Sequence, residues 1–166
     1  MIAAIVLAAG AATRFGSPKQ LVLVPHVEAA LRGTRDVSEI VVVVGAHPFK
    51  PAVGRVVHAE EWERGPGASL RAGLASLAPE VEAAIVALGD GPHLRPEAVD
   101  RVVAAWREGD APVVAASYGG ERGHPVVLGR AVWPEIPDEG ARGLAAHLVP
   151  CDDLGDPGDV DTPADL

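Results

Sequence analysis

Two basic residues and three aspartates are the side chains of this sequence best suited to chemistry. Arg14 and Lys19 belong to one loop that is rich in small residues. Asp90 follows an apolar run, and Asp159 and Asp161 lie near the end of the chain. Arginine and lysine bind phosphate oxygens, and Mg²⁺ is held by one or two carboxylates together with substrate phosphates. These residue types therefore indicate a site for a polyphosphate and a divalent metal ion.

The loop that carries the two bases has small residues at positions 8–12. Small side chains let the backbone approach a ligand closely, so its amides could face a phosphate or a base edge. The loop has neither the Gly-Lys-Ser/Thr ending of a Walker A loop nor the G-x-G-x-x-G pattern of dinucleotide-binding folds. A strand-to-helix turn with two solvated bases is the alternative. The scarcity of lysine, which occurs only at positions 19 and 50, counts against that alternative.

Asp90 stands in a Gly-Asp-Gly-Pro segment directly after the apolar run 83–88. The end of a buried strand places its carboxylate at the edge of the expected sheet, where a charge needs a cation or several donors. Mg²⁺ meets this need. A turn with a solvated aspartate is the alternative.

The chain closes with Asp-Val-Asp-Thr-Pro-Ala-Asp-Leu. Asp159 and Asp161 are two residues apart, so on an extended segment their side chains share a face and could reach one metal ion. A frayed acidic tail is the alternative, because chain ends are often poorly ordered.

Two further segments carry candidate ligand-binding groups. Gly65 precedes a helical pattern, and Ser69 with the preceding amides could bind an anion or a base at the helix N-terminus. A capped amphipathic helix is the alternative. His124, before Pro125 in a glycine-rich ribbon, could contact a second substrate or could be structural. The other histidines lack the spacing of a zinc site.

The elements that must position these residues alternate between strands and helices. Nearly continuous apolar runs predict strands at 2–7, 40–44, 83–88 and 113–116, with weaker candidates at 56–58 and 126–128. Helical patterns lie at 27–31, 68–77, 96–107 and 141–148. Continuous apolar strands are typical of a parallel sheet buried on both faces. We therefore expect a three-layer α/β/α, Rossmann-like, doubly wound and mostly parallel sheet, with ligands beyond the carboxyl ends of its strands.

Length and charge narrow the classes of partner. The chain has 166 residues and a net charge of −9, so we expect a single domain over residues 1–166. The acidic balance argues against a nucleic acid or an anionic membrane surface as the main partner. The single cysteine allows no internal disulfide, and the N-terminus is a poor signal peptide. These features predict a cytoplasmic protein.

The first loop reads L-A-A-G-x-x-x-R-x-G-x-x-K from Leu7 to Lys19, and this pattern resembles the signature of MobA-like nucleotidyltransferases. The closing D-x-D-T-P-x-D-L motif is similar to that of the same family. Ser-Pro before the lysine, Gly-His-Pro at 123–125 and Gly-Ala-Arg-Gly at 140–143 most resemble the molybdenum cofactor cytidylyltransferase branch. The fold implied is that of the nucleotide-diphospho-sugar transferases.

The resemblance implies a set of roles for the residues of this chain. Nucleotide-binding residues would be Leu7, Ala8, Ala9, Gly10, Arg14, Lys19, Gly65, Ser69 and Gly89. Mg²⁺ would be held by Asp90, Asp161 and Asp159, the acceptor would meet His124 and Pro125, and catalysis would depend on Arg14, Lys19 and Asp90. The implied reaction transfers a nucleoside monophosphate, CMP from CTP, to a phosphorylated small-molecule acceptor, a molybdopterin cofactor, and releases pyrophosphate. A molybdoenzyme is an implied protein partner.

The sequence also departs from the family pattern. Ala59 stands where an asparagine is common, and Gly91 where a larger residue is usual. Several residues of the pattern are missing between Lys19 and the first helix. Two alternatives therefore stay open: a nucleotidyltransferase for a sugar or alcohol phosphate, and a non-catalytic paralogue that binds nucleotide or cofactor.

Overall fold

The apolar runs of the sequence form strands of one seven-stranded sheet. The computed structural model describes residues 1–10 and 20–158 of the chain. Its strands in chain order are β1 (Ile2–Ala8), β2 (Val37–Val44), β3 (Arg55–His58), β4 (Ala83–Leu88), β5 (Val113–Tyr118), β6 (Glu121–Gly129) and β7 (His147–Pro150). In space they lie in the order β3-β2-β1-β4-β6-β5-β7. Only β6 pairs antiparallel among these strands, so the expected mostly parallel sheet is confirmed.

Strands β1 and β4, in the middle of the sheet, are apolar at every position because the sheet is buried on both faces. In β1, Ile2, Ala4 and Val6 contribute to one core cluster, whereas Ala3 and Ile5 contribute to the other. Successive side chains of a strand point to opposite faces of its sheet. A continuous apolar run is therefore what two-sided burial requires.

Helices cover both faces of the sheet. The helices are α1 (Gln20–Arg32), α2 (Pro66–Ala75) and α3 (Pro96–Glu108). Residues of α1 and α3 pack in one core cluster, and residues of α2 pack in the other. This arrangement confirms the three-layer, doubly wound architecture. Among the described residues, no helix combines the length and apolar content that crossing a membrane demands.

The reversed strand β6 changes which residues meet at the functional edge of the sheet. It pairs antiparallel with β4 and with β5. A reversed strand begins where its neighbours end, so the first residues of β6 lie at the carboxyl edge of the parallel strands. This direction brings Arg122 and His124 to the side of the sheet on which β4 ends.

The helix predicted at 141–148 is wrong. The chain forms a short 3-10 turn over Ala141–Gly143 and then strand β7, which pairs with β5. Gly140 precedes the turn with φ of 104°, a backbone conformation that glycine adopts readily. Hydrogen bonding to the edge of the sheet outweighs the helical preference of the alanines and leucines here, because helix propensity is a weak effect.

The helix predicted at 27–31 is longer than expected. It begins at Gln20 as α1 and contains Pro25. Proline removes one backbone hydrogen bond of the helix, but Leu23, Val24 and Val27 are fully buried. Their burial offsets the lost hydrogen bond.

Candidate functional site

Two adjoining cavities lie at the carboxyl edge of the sheet, the place where doubly wound folds bind ligands. The first cavity has a volume of about 420 Å³, and the second has a volume of about 430 Å³. Leu7, Pro66 and Leu88 line both cavities. Cavities of this size accommodate small molecules and cofactors.

The first cavity is built by the ends of β1 and β4, the loops that follow them, and the first turn of α2. It is lined by every nucleotide-binding candidate that lies in the described part of the chain: Leu7, Ala8, Ala9, Gly10, Gly65, Ser69 and Gly89. Asp90 lines it as well, and Trp62 and Glu63 form its wall on the side of β3. Candidates that are far apart in the sequence thus meet around one space.

The floor of the first cavity is held together through the backbone. The amide of Gly89 donates a hydrogen bond to the carbonyl of Leu7 at 2.9 Å, and the amide of Ala46 donates to the carbonyl of Ala9 at 3.2 Å. A Cβ atom at Gly89 would lie 3.0 Å from the Leu7 carbonyl oxygen. This close approach explains why position 89 is a glycine. The floor of the cavity is formed here by backbone atoms.

Ser69 presents a buried polar group to the first cavity. The residue is 3% exposed, and its hydroxyl has no hydrogen-bond partner among the described residues. A buried hydroxyl without a partner costs about 1–3 kcal/mol. A polar ligand group at this point of the cavity would remove that cost.

Asp90 supplies a carboxylate at the β4 end of the first cavity, opposite Glu63. Its oxygens are ligands of the kind that Mg²⁺ prefers, and this ion commonly needs only one or two carboxylates when substrate phosphates complete its shell. Within residues 1–10 and 20–158, no three His, Cys, Asp or Glu side chains are grouped as a metal site. A metal ion at Asp90 would therefore depend on phosphates or on residues beyond those ranges.

Four predicted site residues lie outside the described residues. They are the phosphate-binding candidates Arg14 and Lys19 and the metal-ligand candidates Asp159 and Asp161. The roles assigned to these four residues stay predictions.

The second cavity has an apolar floor and a charged rim. Leu70, Val86 and Val126 form part of the floor. The rim carries the side chains of Arg122, His124, Glu139 and Arg142. Pro125 is buried behind His124 and does not line this cavity.

His124 is held in place and kept neutral by its surroundings. Its carbonyl accepts a hydrogen bond from the Tyr118 hydroxyl at 2.7 Å. Loss of solvent lowers the pKa of the imidazole to about 4, and the positive charges of Arg122 and Arg142 add to the decrease. A neutral imidazole at physiological pH can donate one hydrogen bond and accept another.

The two arginines of the second cavity carry like charges close to one another. Desolvation lowers the pKa of Arg122, and the charge of Arg142 lowers it further. The Arg122 guanidinium donates to the carbonyls of Leu144 at 2.6 Å and Ala141 at 3.1 Å. An anionic ligand between these arginines would relieve their repulsion.

Several lining residues were not among the candidates derived from the sequence. Trp62 and Glu63 follow a short edge strand and match no motif. Arg122 and Arg142 stand inside the segments that carry the second-substrate motifs, but nothing in the sequence shows that the two side chains meet. The two side chains come together because β6 runs in the reversed direction.

Solved structures of known proteins share this fold. Rv0371c from Mycobacterium tuberculosis H37Rv is 25% identical, with a TM-score of 0.79 over 99% of this chain and 95% of that chain. A manganese complex of Rv0371c from the same organism is matched at 21% identity, with a TM-score of 0.69 over 99% and 92% of the two chains. A CMP:2-keto-3-deoxy-manno-octonic acid synthetase complexed with CTP is 15% identical, with a TM-score of 0.72 over 98% and 94%.

The sequence itself is matched by a family model. No curated protein sequence matches the chain. The model of the MobA-like NTP transferase domain matches residues 4–151, which include both cavities and the strands that form them. This match covers most of the chain and agrees with the motifs and with the fold of its structural neighbours. The chain belongs to the family of MobA-like NTP transferase domains.

Proposed function

We propose that this protein transfers a nucleoside monophosphate from a nucleoside triphosphate to a phosphorylated acceptor and releases pyrophosphate. The observation that carries the proposal is the pair of cavities on either side of Leu7, Pro66 and Leu88. The first is lined by small residues, a buried hydroxyl and two carboxylates, and the second has two arginines and a glutamate at its rim. Such a pair can hold a donor and an acceptor at the same time.

The order of the strands supports one orientation of the nucleotide. Trp62 and Glu63 follow β3, Ala9 and Gly10 follow β1, and Asp90 follows β4. Three strand spacings separate β3 from β4, which is about 14 Å. We place the nucleoside on the side of Trp62 and the phosphates toward Asp90, because Glu63 would repel phosphates at the opposite end.

The transfer needs no nucleophile from the protein. A phosphate oxygen of the acceptor attacks the α-phosphorus of the nucleotide, and the bond to the departing pyrophosphate breaks. The chain contributes position and charge stabilisation. Arg14 and Lys19 neutralise the charge that develops on the phosphates, and Ser69 and the amides at 8–10 hold the nucleotide.

Asp90 is proposed to hold Mg²⁺ with Asp161 and Asp159. A bound divalent cation would supply Lewis acidity at the phosphates. A neighbour of this fold forms a manganese complex, which supports a divalent cation of this type.

The proposed donor is CTP and the proposed acceptor is a molybdopterin cofactor. The Gly-His-Pro and Gly-Ala-Arg-Gly segments resemble the molybdenum cofactor cytidylyltransferase branch, and the second cavity includes residues from both segments. Its neutral imidazole and two guanidinium groups suit an acceptor that carries both hydrogen-bonding groups and a phosphate. A molybdoenzyme would then be the recipient of the product.

A pyrophosphate-release screen tests this proposal. CTP, GTP, ATP and UTP are each supplied with Mg²⁺ and either molybdopterin or a sugar phosphate. Release that requires CTP and molybdopterin together is the expected result. Release with a sugar phosphate instead would favour the alternative acceptor class. Nucleotide binding without release from any pair would identify a non-catalytic paralogue.

An Asp90→Asn variant tests the role of the carboxylate. We expect pyrophosphate release to fall by a factor of about 10² to 10³, the usual loss when an electrostatic contact to the reacting group is removed. Asp110→Asn, which removes an exposed carboxylate remote from both cavities, is the matched control. Undiminished release from Asp90→Asn would overturn the mechanism.

A further inference from the structure

One segment of the chain connects the two cavities. We call residues 136–144 the bridging segment. Glu139, Gly140, Ala141 and Arg142 of this segment line the second cavity. The opposite face of its first half lies against the first turn of α2, which lines the first cavity. The bridging segment is therefore in a position to relate one cavity to the other.

Asp138 is the main polar contact between the bridging segment and α2. One carboxylate oxygen accepts a hydrogen bond from Arg71 of α2 at 2.5 Å. The other accepts from Arg64, which precedes α2, at 3.2 Å. Arg71 also donates to the carbonyl of Ile136 at 2.8 Å. These ion pairs hold the pKa of Asp138 below its ordinary value, with the Arg71 hydrogen bond as the largest cause.

The backbones at this contact are as close as glycine allows. The amide of Gly67 donates to the carbonyl of Asp138 at 2.8 Å. A Cβ atom at Gly67 would lie 1.6 Å from the Pro137 carbonyl oxygen, and one at Gly65 would lie 2.4 Å from the Asp138 carbonyl oxygen. The first turn of α2 and the bridging segment are therefore in direct backbone contact.

The other end of the bridging segment is fixed to β6. Arg122 donates hydrogen bonds to the carbonyls of Ala141 and Leu144. The segment between Asp138 and Ala141 is therefore anchored at both ends, and its position sets the rim of the second cavity. The Asp138 end contacts α2, which also lines the first cavity.

We propose that Asp138 is a positioning residue through which a nucleotide in the first cavity orders the rim of the second cavity. This inference rests on the proposed function, because it takes the ligand of the first cavity to be a nucleoside triphosphate. A nucleotide that contacts Pro66 and the buried hydroxyl of Ser69, which line the first cavity, restricts the first turn of α2. Asp138 and its arginines extend the restriction to residues 139–142. The donor therefore prepares the site for the acceptor.

Hydrogen exchange measured by mass spectrometry with and without CTP and Mg²⁺ tests the coupling. In the wild-type protein we expect CTP to slow exchange in residues 65–69 and also in residues 138–144. In Asp138→Asn, which weakens the ion pairs and keeps the backbone contact, we expect protection to remain at 65–69 and to be reduced at 138–144. Asp153→Asn breaks an arginine–carboxylate pair with Arg101, and neither residue lines either cavity, so this variant should behave as the wild type.

Kinetics separate positioning from a general structural effect. With the acceptor that supports pyrophosphate release in the screen, Asp138→Asn should raise the acceptor KM several-fold and leave the CTP KM within twofold. The coupling is overturned if CTP protects only residues 65–69 in the wild type. It is also overturned if Asp138→Asn keeps undiminished protection at 138–144. The wild-type result decides the question even if the variant does not fold. Absence of protection at 65–69 in the wild type would instead refute the proposed nucleotide site, and the coupling with it.

Discussion

The neutral imidazole of His124 has a consequence for stability as well as for binding. In an unfolded chain a histidine takes up a proton near pH 6.5. In the folded protein, His124 does so only near pH 4, because the ring has lost solvent and faces Arg122 and Arg142. As the pH falls from 6.5 to 4, the unfolded chain binds a proton that the folded chain does not bind. The contribution of His124 to the free energy of unfolding therefore decreases over this interval.

His124→Gln should weaken that pH dependence. We expect the decrease in the free energy of unfolding between pH 6.5 and 4 to be smaller in the variant by about 1–3 kcal/mol, since glutamine does not titrate. Urea unfolding at a series of pH values measures the effect. His147→Gln, which changes an exposed histidine, is the matched control. An identical pH profile for His124→Gln and the wild type would contradict the prediction.

At the scale of elements, α1 is tied to the loop between β2 and β3 by a buried carboxylate. Glu28 of α1 is 1% exposed. Its carboxylate accepts hydrogen bonds from the amides of Ala52 at 3.2 Å, Val53 at 2.8 Å and Gly54 at 2.6 Å. The same loop contains Ala46, whose amide donates a hydrogen bond to the Ala9 carbonyl at the floor of the first cavity. Glu28 thus links α1, this loop and the first cavity.

Glu28→Gln should destabilise the protein by about 1–3 kcal/mol. The variant exchanges one acceptor oxygen for an NH₂ group that faces backbone donors, and a buried donor is then left without an acceptor. The loss is measured as a lower urea midpoint of unfolding, while the slope of the free energy of unfolding against urea concentration stays unchanged. Glu39→Gln alters an exposed carboxylate paired with Arg55 and should cost less than about 1 kcal/mol. Equal effects of the two variants would contradict this account of Glu28.

At the scale of the whole molecule, one sheet runs through the described residues from edge to edge. β1 pairs with β2 and β4, and the sheet continues through β6 to β5 and β7. A continuous sheet with a core on each face is expected to unfold as one unit. The single domain predicted from the length of the chain can be tested through this property.

Urea unfolding should give coincident transitions by tryptophan fluorescence and far-ultraviolet circular dichroism. The three tryptophans sample distant regions, because Trp62 lines the first cavity, Trp106 belongs to α3 and Trp133 packs in the core cluster of α2. Two separate transitions would contradict a single cooperative domain.

CTP, supplied with Mg²⁺ at a hundred times the dissociation constant of CTP, should add about 2.7 kcal/mol to the free energy of unfolding.

Strands and motifs were predictable because both depend on local sequence. The apolar runs that form β1, β2, β4 and β5 are recognisable by the absence of polar positions, and the helix over α3 by its apolar stripe. The first loop and Asp90 were placed at the functional edge because each directly follows an apolar run. The prediction failed at β7, where pairing with β5 decides the structure of a segment rich in alanine and leucine.

The fold class could be predicted from apolar periodicity, and the family and most residues around the first cavity from loop motifs, because both kinds of pattern are local. The tertiary structure decided the second cavity, since only the reversal of β6 brings Arg122 and His124 to face Arg142. It also decided the contact between Asp138 and α2, which joins residues 67 positions apart. Contacts between charged side chains, and close approaches between backbones, that join residues far apart in the sequence depend on how the chain is packed. No local sequence pattern encodes them.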